Sequence, residues 1–414
     1  MEPTLGENIA RIRRQRSLTQ ERLAERAGLS VETIGKLERN ERTVARMSTL
    51  NQLARALEVP TSRLLGDVSL SAARRERDRD QIGLIELRKV LTPARGLGGV
   101  TIGRQDGEPP TLGGVRGAVR AADRAYHDDD YRTALAALPS LLADAAILVN
   151  VLDGDARTEA HDLLAQAHQV AGTALIQLRA FDLAHRALTL AMEASDRSGN
   201  DLVGASTVTT MCWLLLRQGR LMEAEQLAVT TADQIEPRFS RAAPAELTTW
   251  GWLLLRASAA AVRDNRGDDA ETLLDAAAAA ATRLGDRASV EALSPGPASI
   301  GVFCSRTVEM KRVENVIVAG DPGRALELAR RIPPGGRPTS NNRNRHRLDI
   351  ASALTQVGEL PAATDVLLDL RHAAPTWLRH QRYARDIVRT IRARRRRPMS
   401  EELVDLASLM GLEP

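Results

Sequence analysis

The sequence predicts an all-α protein, and three observations carry that expectation. Hydrophobic residues make up 43% of the chain but aromatic ones only 2%. That balance, rich in Ala, Leu and Arg, suits helix packing and leaves a β-sandwich without its usual residues. Apolar residues recur at three- and four-residue spacing along most of the chain, and Gly and Pro punctuate these segments as helix ends require. At 414 residues the chain exceeds the roughly 250 to 300 residues at which one core stops growing, so at least two folding units are expected.

Residues 1–67 read as five short helices. Leu5, Ile9 and Ile12 form one apolar stripe, and Leu23, Ala24 and Ala27 form a second that Gly28 ends. Ser30 suits the N-cap of a third helix whose inward positions are Ile34 and Leu37. Leu50, Leu53, Ala54 and Leu57 supply a fourth, and Pro60 opens a short fifth ending near Gly66. Residues 68–115 are expected to hold a connecting helix with Ile82, Ile85, Leu87 and Val90, then a linker. The linker reading rests on Pro93–Gly114, rich in Gly and Pro and without a sustained period.

From residue 116 to 414 one theme repeats: an apolar helix, a tight turn carrying Gly or a charged residue, then a helix containing a small Ala. The turns opening at Phe181, Gly219, Gly267, Gly320 and Gly358 occupy equivalent positions, each followed within a few residues by Ala184, Ala224, Ala270, Ala325 or Ala362. Their starts lie about 38 to 53 residues apart, longer and less even than an ideal tetratricopeptide repeat. The segment therefore resembles a degenerate tetratricopeptide-like α-solenoid in which each hairpin buries its stripe by stacking on the next.

The formal charge of +4 is modest, but Arg clusters at Arg74–Arg79 and Arg389–Arg397, so local basic surfaces are expected. The run at Arg389–Arg397 reads as a solvated tail, a site for an acidic partner, or an extra phosphate contact. Cys212 and Cys304 lie far apart in apolar contexts without metal-ligand spacing, which fits buried thiols in a reduced, cytoplasmic protein. No window approaches 18 uninterrupted apolar residues, and the start has no signal-peptide core, so neither secretion nor a membrane span is expected. Gly96-Leu97-Gly98-Gly99 lacks the ending of a phosphate loop. His127-Asp128-Asp129-Asp130 reads as a solvated helix cap, and His161 and His168 lack an HExxH arrangement. We expect no catalytic residues, no cofactor and no metal.

The stretch Ser17–Ser30, SLTQERLAERAGLS, continues VETIGKLERNER and resembles the helix-turn-helix of the Xre/phage-repressor family over about Leu5–Asp67. Two helices joined by a short turn brace each other and present the second to a DNA major groove. The resemblance places base-reading side chains at Val31, Glu32, Thr33 and Lys36, beside the capping Ser30. Lys36 can donate to guanine, Glu32 can accept from cytosine, and Val31 or Thr33 can touch a thymine methyl. Glu32 equally suits a favourable first-turn acid, and Lys36 a solvated lysine. Thr19 and Gln20 open the second helix, where free backbone N–H groups favour a phosphate. Arg39, Asn40, Arg42 and Arg46 can hold the flanking backbone, or lie solvated. The resemblance also implies an Arg13–Glu38 pair. Gly35 departs from the family's usual Ser and removes one possible phosphate contact.

This layout resembles actinobacterial Xre-type regulators and, in architecture only, peptide-pheromone receptors. It implies a transcriptional regulator that binds double-stranded DNA at an inverted-repeat operator as a homodimer. Its array would then sense a peptide or small-molecule effector. The candidate effector residues are Trp252 and Arg256 on one helix and Glu309, Arg312 and Asn315 on another. The alternative for Trp213, Trp250 and Trp252 is to fill gaps left by so much alanine, and Asn315 equally suits a solvated or capping amide. Asn341, Asn342 and Asn344 look like part of an exposed loop, or of a segment covering the groove. The other functional class is a DNA-tethered interaction scaffold without a small effector.

Overall fold

A computed structural model describes residues 5–39, 47–59, 64, 84–93, 110–291, 301–332, 338–394 and 400–412. The chain is all-α, with no strand among the described residues. It divides into two compact units, Met1–Ile85 and Glu86–Pro414.

The first unit contains α1 (Leu5–Gln15), α2 (Gln20–Ala27), α3 (Val31–Glu38) and α4 (Met47–Ala56). Its helix ends are written locally. The Thr19 hydroxyl accepts from the Arg22 backbone N–H at 3.2 Å, and the Ser30 hydroxyl accepts from that of Thr33 at 3.2 Å. Each satisfies an otherwise orphaned donor and is worth about 1 kcal/mol. Gly28 ends α2 in the left-handed region at φ 64°, where a Cβ would be penalised. The apolar stripes meet in one core of Ile9, Ile12, Leu23, Ile34, Leu37, Leu53 and Leu57. Of the segment read as a fifth helix, only Leu64 is among the described residues; it is helical and buried in this core.

Helix α5 (residues 84–91) begins two residues before the second unit and buries Leu87 and Leu91 in it, and the Leu91 carbonyl accepts from Arg186 Nε at 3.3 Å. Residues 94–109 lie outside the described residues. The linker reading is corrected at its end, because α6 (Leu112–His127) already includes Gly113 and Gly114. The Thr111 hydroxyl caps the Gly114 N–H at 3.1 Å, which offsets the poor helix propensity of two glycines.

Six hairpins then follow. Their second helices are α7 (Tyr131–Val151), α9 (Phe181–Ser198), α11 (Leu221–Gln234), α13 (Gly267–Glu291), α15 (Pro322–Arg331) and α17 (Leu360–Ala373). Their first helices are α6, α8 (Gly154–Gln177), α10 (Asp201–Gln218), α12 (Pro244–Arg263), α14 (Ser305–Val318) and α16 (Ser340–Val357). The chain ends with α18 (Pro375–Arg379), α19 (Arg382–Arg394) and α20 (Glu401–Leu409). Each first helix touches the next, from α6 through α16 to α19, so these helices form one inner layer.

Every hairpin turn holds a positive φ two residues before its second helix, at Asp129, Arg179, Gly219, Asn265, Gly320 and Gly358. The hairpin at Asp129 escapes a search for turn glycines because Asp tolerates this conformation. The small residues under the turns, Ala184, Ala224, Ala270 and Ala325, are buried. In the last hairpin the buried residue is Ala363, not Ala362, which is only partly buried. Helix α7 is long and apolar enough to cross a membrane by length and composition, but it packs Leu138, Leu141, Leu142 and Leu148 within the unit. Cys212 and Cys304 are free and buried.

The inner layer curls until early and late hairpins meet. Tyr131 Oη donates to the Asn341 amide oxygen at 3.2 Å, and the Asn344 amide donates to Asp129 at 3.2 Å. Ser340 Oγ also donates to the His127 carbonyl. The reading of Asn341, Asn342 and Asn344 as loop is therefore corrected: all three lie on α16. That helix turns polar side chains toward other polar groups, so no apolar stripe advertises it.

Candidate functional site

In the first unit, α3 is locked from behind. Arg13 grips Glu38 with Nε and Nη2 at 2.6 and 2.9 Å, and its Nη1 donates to the Leu18 carbonyl at 2.8 Å. Gln20 Nε2 adds a bond to Glu38 at 2.7 Å. One carboxylate thus ties α1, α2 and α3 together. Burial opposes its charge, yet the bonds from Arg13 and Gln20 hold the Glu38 carboxyl below the usual carboxylate range. The Gln20 side chain is therefore committed inside the unit, and a phosphate contact there falls to the backbone N–H groups of α2's first turn. The Thr19 side chain is likewise the helix cap.

The outer face of α3 is open. Val31 is 40% exposed, unusual for a large apolar residue, and Glu32 and Lys36 stand beside it, joined at 2.7 Å. So exposed a pair is screened by solvent, contributes little and opens readily toward another partner. Thr33 is half-buried, its hydroxyl 2.8 Å from that of Ser30. Arg39 lies over Gly35, where an added Cβ would sit 3.0 Å from its Nη1. Asn40, Arg42 and Arg46 lie outside the described residues.

The second unit holds a half-open cavity of about 410 Å³ lined by the inner layer. Helices α6, α8, α10, α12, α14, α16 and α19 all contribute to its wall. Of the residues proposed from the sequence for an effector, Trp252 and Arg256 line it. Glu309, Arg312 and Asn315 do not. Arg312 turns to Glu271, Asp275 and Glu309, and the Asn315 amide is buried against Ser258 Oγ at 2.7 Å. The same helix instead offers Lys311 and Glu314, since neighbouring residues on a helix point about 100° apart. Of the other tryptophans, Trp250 packs edge-on to Phe239 at 5.6 Å, whereas Trp213 lines the cavity.

The cavity is strongly cationic. Among the described residues its wall carries seven Arg or Lys side chains against two carboxylates, Glu314 and Asp386. Three of the cations converge on Glu314: Arg263 at 2.7 Å, Lys311 at 3.0 Å and Arg345 at 3.3 Å. Burial opposes its ionisation, but these cations keep it well below the ordinary range. Arg256 donates to the Thr209 carbonyl at 3.1 Å and stacks near Trp252 and Trp213. Arg217 Nε is buried with no hydrogen-bond partner among the described residues. Burial, reinforced by Arg345 and Arg179, pushes the Arg217 guanidinium down to about 10. Its Nε is a buried donor left unsatisfied, which costs about 1 to 3 kcal/mol, and sequence reading missed it because nothing local marks Arg217.

Residues 9–64 match the helix-turn-helix family model, and no curated protein matches the chain. The match covers the capped α2–turn–α3 pair described above. The first unit therefore carries a helix-turn-helix, and this match supports reading the chain as a DNA-binding regulator.

Proposed function

We propose that the protein is a sequence-specific transcriptional regulator that reads DNA through α3, acts as a homodimer, and senses a small effector in the cavity of a tetratricopeptide-like array. The observation that carries the DNA reading is the open face of Val31, Glu32 and Lys36 on a helix braced from behind by Arg13, Glu38 and Gln20. Such a face fits a major groove, with Ser30, Thr33 and Arg39 near its ends and the N-terminus of α2 at a phosphate. A single module reads too few base pairs for useful specificity, which favours a dimer on an inverted repeat. The effector reading rests on the cavity, whose size is that of small-molecule sites.

Selection of bound duplexes from a random library tests the reading. An inverted repeat should emerge, binding should fall steeply with salt as counterions are released, and Lys36→Ala should cost about 1 to 3 kcal/mol at the selected site. Recovery of no common sequence would overturn it. A ligand-free array that captures only proteins would favour the scaffold reading instead.

A further inference from the structure

We propose that the cavity binds a nucleotide-class ligand, a planar ring carrying one or more phosphates; this rests on reading the array as an effector domain and names the chemistry of that site. Two independent features point there. Inside, the Arg256 guanidinium lies 5.2 Å from the Trp252 ring and 5.8 Å from the Trp213 ring, while Arg217 lies 5.7 Å over Trp213. Neither arginine has a carboxylate partner among the described residues. Trp252 is itself buried, so the half-buried Trp213 ring and the guanidinium planes supply the stacking surface for a flat, electron-rich ring.

Beside this platform the cavity adjoins a second depression, with which it shares Arg179 and Arg382 and which adds Arg385 and Arg389. The carboxylate paired there is Asp386, 3.1 Å from Arg389 and 3.7 Å from Arg382. Arg385 donates to the Arg379 carbonyl at 3.2 Å, but its Nε is buried without a partner. Among the described residues these four arginines share one carboxylate, which leaves guanidinium donors free for an anion, and arginine forks match phosphate oxygens two at a time.

Simpler occupants satisfy only part of the site. A free phosphate would leave the tryptophan platform bare, and a neutral aromatic would leave the arginines unpaired. An extended peptide fits less well, because the bonds of Asp129 and Tyr131 to α16 draw the early and late hairpins together around the cavity.

The test is calorimetry of the full chain with adenosine, guanosine, cytidine and uridine mono-, di- and triphosphates, the bare nucleosides, and inorganic pyrophosphate. At least one nucleotide should bind about tenfold or more tighter than both its nucleoside and pyrophosphate. Arg217→Met and Arg385→Gln should each weaken it about tenfold or more. Arg217→Met should also leave the melting temperature of the ligand-free protein equal or higher, because an unsatisfied buried donor is gone; a merely structural arginine would lower it. Should Arg217→Met fail to fold, Arg385→Gln carries the affinity test alone. Binding by no nucleotide overturns the proposal, as does a nucleoside or pyrophosphate that binds as tightly as the nucleotide. A nucleotide that binds without altering operator affinity upholds the ligand class and removes the effector reading. A different ligand that alters operator affinity, where nucleotides do not bind, does the reverse.

Discussion

Asn344 and Asp129 stand 215 residues apart in sequence and are joined by a hydrogen bond of 3.2 Å. Asp129 also accepts from Tyr131 Oη at 3.1 Å, and it sits at a turn position with φ 63°. This carboxylate is the junction at which the curled inner layer meets itself. Burial raises its pKa while the bonds from Tyr131 and Asn344 pull it back, so each lost bond exposes the cost of its burial.

Asn344→Ala is therefore expected to destabilise the array by about 1 to 2 kcal/mol, the cost of a polar group left short of a partner. It should also let the hairpins spread. Chemical denaturation reads the first effect and small-angle scattering the second. An unchanged radius of gyration together with unchanged stability would show that this junction holds nothing.

The Arg13–Glu38 pair makes the DNA-binding unit acid-sensitive. The folded-state pKa of Glu38 lies below its ordinary value of 4.5. The pair's contribution is therefore fully present above that value and is lost as pH falls through the depressed folded one. Glu38→Gln should cost about 3 kcal/mol, because it strands a mostly buried guanidinium, and should flatten the acid limb. Far-ultraviolet circular dichroism or fluorine-probe denaturation of the unit from pH 7 downward checks this. An acid limb identical in the variant would rule the pair out as its source.

The array has its own acid response through His168, which is buried at 7% exposure. Burial, aided by Arg186, pushes the imidazole down to about 4 from 6.5. Its depressed pKa means that stability is complete above 6.5 and is lost as pH falls toward 4, by about 3 kcal/mol at the end of that window. His168→Leu should remove this part of the dependence. Urea midpoints for the array at pH 7.5 and 4.5 provide the comparison, and a pH difference as large in the variant would contradict the assignment.

Gly251 admits the edge of the Phe303 ring: a Cβ there would lie 2.1 Å from Cζ. Phe303 in turn packs beside Trp252, with ring centroids 6.5 Å apart, and Trp252 Nε1 donates to the Gly301 carbonyl at 3.2 Å. Gly251→Ala should cost about 1 to 3 kcal/mol by overpacking and shift the tryptophan fluorescence of the cavity wall. Gly251→Ala in a Phe303→Leu background should recover much of that loss. No recovery would mean that the strain lies elsewhere.

Much of this protein is determined by residues close together in sequence. The helices of the first unit, their caps at Thr19 and Ser30 and the stop at Gly28 follow from local spacing and backbone chemistry, as do the outward Val31, Glu32 and Lys36. The hairpins from Phe181 onward are legible for the same reason, since each tight turn and the small alanine that follows it are neighbours in the chain. The cavity obeys no such rule. Trp252 and Arg256 were legible as a pair one turn apart, but on α14 a rotation of about 100° per residue decides that Lys311 and Glu314 face inward while Arg312 meets Glu271 and Asp275. Only tertiary structure sets that rotation, because it depends on which side of α14 meets α12 and α16. Arg217, Arg385 and the Asp129–Asn344 junction likewise acquire their surroundings from helices far away in the chain. Burial and charge at such sites come from the curl of the whole array, and no short window of sequence records it.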